Sequence, residues 1–295
     1  MKRVAIQGYQ GCFHEQAARL FYGQMPGQAG HDAVVGHDVI AGSDRLSLDI
    51  VECDTFEGLY QALREGRADA AVMAIENTVS GGLIHNFELL RKEGRQVKGE
   101  VYIRIGQNLM ALPGQRLEDI REVRTHYMAI GQTRPWFEQH APWIRLTESE
   151  DTAKSAAQVA REGLRGVGAV ASELAARLYG LDIMAPGIET YKQNFTRFLI
   201  MDDSLTVPEE KRDKAVLCFT LPHKPGSLAQ ILTILSFYDT NLTRIQSLPI
   251  PGREWQYFFY ADIKFSSYER YTQALTAVRP LIEDLQILGE YTSAL

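Results

Sequence analysis

The chain has 295 residues, 45% hydrophobic and 23% charged, with 31 Lys and Arg against 37 Asp and Glu for a formal charge of -6. This is the composition of an ordinary soluble globular protein with room for two domains, each with its own core, and it excludes a disordered, fibrous or disulfide-stapled chain. The absence of a dense basic run removes support for nucleic-acid binding, and the absence of about 18 consecutive apolar residues removes support for a membrane span.

From Met1 to Gly8 the apolar run is too short for a signal peptide, and Arg3 to Ile6 reads instead as a first strand. Phe13 to Phe21 has helical spacing, with Phe13, Ala17, Leu20 and Phe21 on one side. Residues 24 to 47, rich in Gly, His and Asp, read as a loop-rich insertion. Its His31-Asp32 and His37-Asp38 pairs are expected to be solvated, so no metal site is assigned. Ile50-Val51 belongs to the next strand, Phe56 to Leu63 to a helix, and Ala70 to Ile75 to a strand buried on both faces. A helix over Leu83 to Leu90 follows.

The alternation continues through Val101 to Leu112, Val123 to Thr125, a helix from Met128 to Glu138, Ile144 to Leu146, a helix from Thr152 to Glu162, Val167 to Ala171 and a helix ending at Tyr179. Asn194 to Met201 supplies a late strand with a polar entrance. Strands and helices alternating in this way predict a largely parallel sheet, here in two α/β lobes around a cleft. Residues 202 to 213, polar and charged around Pro208, read as a linker. The remainder runs strand (215 to 221), helix (227 to 237), strand (243 to 248), strand (255 to 265), helix (268 to 278), strand (285 to 288), a ferredoxin-like βαββαβ order. Cys12, Cys53 and Cys218 are odd in number and widely spaced, which suits a reducing compartment, and the expected location is cytoplasmic.

Two strand exits carry the chemistry. Gly8-Tyr-Gln-Gly-Cys-Phe-His-Glu15 opens a helix and could aim amides at an anion, or could be a tight turn serving helix packing. It lacks the nucleotide fingerprints. Glu76-Asn77 leave a buried strand and enter Thr78-Val-Ser-Gly-Gly82. Polar residues at that end of a parallel strand are where α/β proteins place ligand contacts, although an Asx turn and helix cap would look the same. Ser80 is not in a hydrolase elbow, and no His/Cys set has zinc spacing. In the C-terminal region Pro225-Gly-Ser-Leu228 either holds a carboxylate at a helix start or serves as strand exit and cap.

Taken in order, these motifs resemble the prephenate dehydratase family, with a catalytic domain followed by an ACT regulatory domain. The carriers are Gly8 to Ala18, Ile75-Glu-Asn-Thr-Val-Ser-Gly81, Thr125-His126 through Gln132, Asp151-Thr-Ala-Lys-Ser-Ala156, Ala171 to Ala176 with Tyr179-Gly180, and Asn194-Phe-Thr-Arg-Phe198. The resemblance implies a type II periplasmic-binding-protein-like catalytic domain over 1–205 and an ACT domain over 214–295. It departs at Tyr9, Cys12 and His14, where the family has Pro, Thr and Ser, and at Tyr127-Met128 in place of Pro-Gln. Gln246 and Leu248 stand where the ACT motif has Glu and Arg, which weakens the expectation of phenylalanine feedback relative to that of catalysis.

What the resemblance implies is a carbon-oxygen lyase that converts prephenate to phenylpyruvate, CO2 and water with no metal or redox cofactor. Strand alternation puts Thr196 with Phe198 on one face and Arg197 on the other, so Thr196 is expected at the leaving hydroxyl, with Phe198 near the substrate ring. Glu76 is expected to supply or orient a proton through Asn77 or Thr196. Gln132 and Thr125 are expected as positioning donors, and Thr152, Ser80 and Gly81 near the carboxylates; Arg197 is carried as a further binding candidate or as half of a structural pair. For phenylalanine as effector the expected contacts are Gly226, Ser227, Leu228, Asn241 and Leu242, in a homodimer or homotetramer. An arogenate-accepting dehydratase and a non-catalytic amino-acid sensor remain the alternatives.

Overall fold

The structure is a computed structural model that describes residues 1–23, 33–36 and 47–294. In chain order the elements are β1 (Lys2–Gln7), α1 (Phe13–Phe21), β2 (Ala33–Gly36), β3 (Leu48–Cys53), α2 (Phe56–Arg64), β4 (Ala70–Asn77), β5 (Gly81–Gly82), α3 (Ile84–Glu93), β6 (Val97–Arg104), β7 (Asn108–Ala111), β8 (Glu122–His126) and α4 (Tyr127–His140). There follow β9 (Arg145–Ser149), α5 (Thr152–Arg161), β10 (Val167–Ala171), α6 (Glu173–Tyr179), β11 (Asp182–Ala185), β12 (Phe195–Met201), β13 (Lys214–Thr220), α7 (Ser227–Phe237), β14 (Asn241–Pro249), β15 (Tyr257–Lys264), α8 (Tyr268–Val278) and β16 (Asp284–Tyr291). His31, Asp32, His37 and Asp38 lie outside the described residues, and the expected loop contains the strand β2.

The chain divides into two compact units. One comprises Met1–Ala33, Asp44–Gly82 and Tyr102–Phe198; the other comprises Val34–Ser43, Leu83–Val101 and Leu199–Leu295. In the first, β1 pairs in parallel with β3 from Lys2 to Gln7 and with β4 from Val4 to Ile6. The run Ala70 to Ile75 is buried throughout, as an apolar strand flanked by helices requires. A second sheet has the order β11-β7-β10-β8-β9, parallel at β10/β8/β9 and antiparallel on either side of β7. Sequence periodicity reads Val101 to Leu112 as one element and misses β11. The chain breaks at Ile105-Gly106-Gln107, and β7 then pairs with β11 at the sheet edge.

The turn between β1 and α1 packs against α6. A Cβ on Gly11 would lie 2.9 Å from the Ala175 Cα, so only glycine permits this approach, and the Ser172 hydroxyl donates to the Gly11 carbonyl at 2.5 Å. Glu15, buried, accepts from the Gly11 amide at 2.5 Å and pairs with Arg19, closing the first helical turn.

In the second unit four antiparallel strands run in the order β14-β15-β13-β16, with α7 and α8 supplying the βαββαβ connections. Ala215, Leu217, Phe219, Ile231, Leu235, Ile263, Tyr271 and Leu275 are among the residues of its core. This C-terminal β-rich subdomain is consistent with an ACT-like fold. Helix α3 belongs to this unit: Arg91 donates to the Tyr260 hydroxyl at 3.2 Å and stacks 4.0 Å over Phe258, and Phe87 packs against Tyr260. Lys214, on β13, binds both oxygens of Glu100 at 2.9 Å in a fully buried pair. The stretch expected to be a linker, 202 to 213, is instead anchored. Asp202 and Val207 are buried, and Arg212 bonds the Val207 carbonyl and Glu290. Its polar composition reflects these ion pairs and turns.

Among the described residues no helix is long and apolar enough to cross a membrane.

Candidate active site

The site begins where β4 runs out of apolar residues. Asn77 lies at its C-terminal end, and its amide Nδ2 donates to Thr196 Oγ1 at 3.0 Å, to Asn194 Oδ1 at 2.6 Å and to the Phe195 carbonyl at 3.2 Å. Its Oδ1 accepts the amides of Val79 at 2.9 Å and Ser80 at 2.8 Å. Asn77 therefore uses its whole hydrogen-bonding capacity to tie the β4 exit to the β12 entrance. Thr78 adds a second tie, accepting from the Phe195 amide at 2.9 Å. Because Thr196 Oγ1 accepts from an amide that can only donate, its own proton remains to be directed elsewhere.

Arg197 and Glu76 form the partnership that sequence reading left unnamed, with Arg197 Nη1 donating to Glu76 Oε1 at 3.1 Å. The guanidinium is buried and lies 6.0 Å from the Tyr102 ring. Strand alternation places this pair on the face opposite Asn77 and Thr196. One oxygen of Glu76 thus serves as counterion to a buried arginine, which weighs against the expected proton role through Thr196, and the burial of Arg197 beside Glu76 favours the structural-pair reading of that residue over the substrate-binding one.

Phe198, expected near the substrate ring, is 1% exposed and packs edge-to-face with the His14 ring, 4.9 Å between centroids, so its burial weighs against that contact. His14 Nε2 accepts from the Ala74 amide at 3.2 Å, and burial pushes its pKa down to about 3. In the sequence His14 stands out only as a departure from the family's serine. No local pattern tells that a residue at the second position of α1 meets two residues on other strands.

The remaining candidates are dispersed. Thr125 is fully buried and donates to the Val170 carbonyl at 2.7 Å, which commits the proton of its expected positioning role. Gln132 Oε1 accepts from Gln107 Nε2 at 3.3 Å, and its backbone carbonyl holds Thr190. Ser80 and Gly81 are exposed, and the Ser80 amide is held by Asn77, so it is not offered to a carboxylate. Thr152 opens α5, where the carboxylate of Asp151 already accepts from the Lys154 amide. Burial raises the Asp151 pKa. Tyr127 and Met128 are exposed.

A cavity of about 490 Å³ adjoins the β1 exit, lined by Gln7, Tyr9, Asp54, Glu150, Asp151 and Lys154. Tyr9 donates to Asp54 at 2.9 Å and accepts from Lys154, which also pairs with Glu150. Three carboxylates around one ammonium do not suit a dianion, and none of the expected site residues lines this cavity. Among the described residues, no cluster of three or more His, Cys, Asp or Glu is arranged to hold a metal.

Residues 4–205 match the family described as prephenate dehydratase. The bifunctional chorismate mutase/prephenate dehydratase of Aquifex aeolicus is 31% identical over 99% of this chain and 74% of its own length. Arogenate dehydratase 5 of Arabidopsis thaliana is 32% identical over 94% of this chain and 68% of its own. Among solved structures, the prephenate dehydratase of Arthrobacter aurescens in complex with L-Phe superposes with a TM-score of 0.80 at 28% identity, covering 99% of this chain and 90% of that one. A protein described as GqqA, a novel type of quorum quenching acylase, gives 0.81 at 28% identity, covering 99% and 98%. With the family match covering well over half of its length, the chain belongs to the prephenate dehydratase family.

Proposed function

We propose that the protein is a dehydratase of phenylalanine biosynthesis that takes prephenate to phenylpyruvate. The family supports action on prephenate or arogenate, and the finer assignment rests on the donors at the site. The prephenate dianion loses its ring carboxylate as CO2, and the electron pair of that C–C bond enters the ring. The C4–O bond breaks, and the hydroxide leaves with one proton drawn from solvent as water. Aromatisation supplies the driving force. The protein has only to hold the dianion, desolvate its carboxylate and direct a donor at the departing oxygen.

The observation that carries this reading is the Asn77 Nδ2 bond to Thr196 Oγ1. It fixes the hydroxyl as a donor and polarises its O–H bond. A threonine hydroxyl is a weak acid, so Thr196 stabilises the departing oxygen by hydrogen bonding while the net proton comes from water. Thr196 is 8% exposed, which limits competition from solvent. Gln132 remains a positioning candidate through its pairing with Gln107.

An acylase reading would need an activated nucleophile. Cys12 does not meet that need: it is buried, its thiol is pushed upward by desolvation, and it donates to the Gln7 carbonyl.

We place the catalytic domain at 1–205 and an ACT-like regulatory domain at 214–295, in a cytoplasmic homodimer or homotetramer. L-Phenylalanine is its proposed effector. Ser227 and Leu228 line a cavity of about 120 Å³ with Trp255, Tyr257 and Phe259, whereas Gly226, Asn241 and Leu242 do not line it. Calorimetry with phenylalanine tests this half, and absence of binding rejects it.

The enzymatic half is tested by supplying prephenate and arogenate and following phenylpyruvate and phenylalanine. No product from folded protein would end the dehydratase reading. For Thr196, the nearly isosteric Thr196→Val should lower kcat by about a hundredfold while leaving folding intact. Near-normal turnover would remove Thr196 from the mechanism.

A further inference from the structure

The residue that the dehydratase reading leaves unused is His14. The pairing of β1 with β4 ends at Ile6 and Val72, and beyond it the Ala74 amide donates to His14 Nε2 at 3.2 Å. A backbone amide only donates, so Nε2 must carry the lone pair. A neutral imidazole has one N–H, which this bond therefore assigns to Nδ1. The ring is neutral because burial lowers its pKa to about 3.

The ring is held as well as polarised. It lies 5.7 Å from the Phe56 ring and edge-on to Phe198 at 4.9 Å. Among the described residues no hydrogen bond takes the Nδ1 proton, although the residue is 91% buried, at 9% exposed. Among the described residues Nδ1 is not one of the fully enclosed polar atoms that lack a partner, so this edge of the ring is open to a ligand. Phe198 follows Thr196 by two positions on the same strand face, about 7 Å along it, and the imidazole packs against Phe198.

We propose that His14 contacts the substrate, its Nδ1–H donating to a carboxylate oxygen of the bound dianion. The proposal rests on the dehydratase reading and deepens it. The wall then offers two neutral donors, Thr196 toward the leaving hydroxyl and His14 toward a carboxylate. Neutrality suits this chemistry, because a fixed cation would stabilise a carboxylate that must depart as CO2. A donor that serves the ground state and the transition state alike acts mainly on KM.

Three substitutions separate contact from scaffolding. His14→Gln can return an acceptor near Nε2 for the Ala74 amide but lacks the Nδ1 donor. His14→Asn can place an N–H near Nδ1 but lacks the Nε2 acceptor. His14→Phe keeps the aromatic packing and removes both. With prephenate, KM should rise about tenfold in the Phe and Gln variants and less than about threefold in the Asn variant, with kcat changed little. Nitrogen-15 NMR of the wild type should show the proton on Nδ1.

The proposal is overturned if Gln restores KM and Asn does not, if all three variants bind as the wild type does, or if the proton resides on Nε2. Should the Phe variant not fold, the Gln and Asn pair still decides. Wild-type protein inactive on prephenate would sink the dehydratase reading and this proposal together. Active wild type with indifferent variants would sink this proposal alone.

Discussion

Two buried ion pairs, one in each compact unit, solve the same problem differently. Glu100 is fully buried and accepts from Lys214 twice at 2.9 Å, from the Tyr291 hydroxyl at 3.0 Å and from the Ala294 amide at 3.0 Å. Glu76 pairs with Arg197 at 3.1 Å, the arginine side chain 2% exposed and the carboxylate 29%. The first carboxylate is enclosed by donors on all sides, as a charge removed from water must be. The second stands at a strand end, where burial relaxes and the neighbouring residue, Asn77, changes from packing to hydrogen bonding. Two charged pairs of similar appearance thus differ in role: one closes a core, and the other braces the strand exit that presents Thr196.

The sharpest way to break this comparison is to remove Glu100. Glu100→Ala takes the carboxylate from a buried ammonium and should cost about 3–5 kcal/mol in urea unfolding. The double change Glu100→Leu with Lys214→Met removes both charges and should recover most of that loss. Equal destabilisation by the single and double variants would show that shape rather than charge governs the site.

Glu76→Gln keeps an oxygen for Arg197 and removes the charge. The expected cost is about 1–3 kcal/mol of stability, with kcat within about threefold of wild type. A fall in kcat by orders of magnitude in a stable protein would return Glu76 to the chemistry and undo the distinction between the two pairs.

His14 represents a third solution, in which a buried titratable group is kept neutral. Its folded pKa is about 3, against an unfolded value near 6.5. Between these values the unfolded chain binds the extra proton, so stability falls as pH falls from about 6.5 toward 3 and is unaffected above that window. At pH 5 the loss amounts to about 2 kcal/mol. Melting temperature measured against pH should show this acid limb in the wild type and a shallower one in His14→Phe. Identical limbs would mean that other groups set the acid response.

Much of the frame was legible. Helices α1, α7 and α8 have the bounds that their periodicity predicts, and the alternation along β12 separates Thr196 from Arg197 as expected. The contacts across sequence were not legible. Nothing near residue 77 announces that Asn77 binds residues 194, 195 and 196, whereas the Asx turn offered for this strand exit is what Asn77 Oδ1 makes with the Val79 and Ser80 amides. Period 2 puts Phe198 on the right face but cannot show that His14 covers it. Gly106 and the short β11 fell below what periodicity resolves, since four residues carry barely two alternations. The polar linker reading failed for a related reason: composition records charge, while Arg212 and Asp202 were folded into partnerships.

The smallest expected effect completes the comparison. Glu173 and Arg177 form an i,i+4 pair on α6, with side chains 53% and 59% exposed. Its orientation, acid toward the N-terminus and base toward the C-terminus, is favourable to the helix, but both charges remain hydrated and screened by salt. Arg177→Ala should therefore change stability by only about 0.3–0.5 kcal/mol, and less at high ionic strength. A loss above about 1 kcal/mol would mean that exposure does not rank these pairs. It would then be the enclosure of each carboxylate, at least four donor contacts at Glu100 against the exposed pairing at Glu173, that needed another explanation.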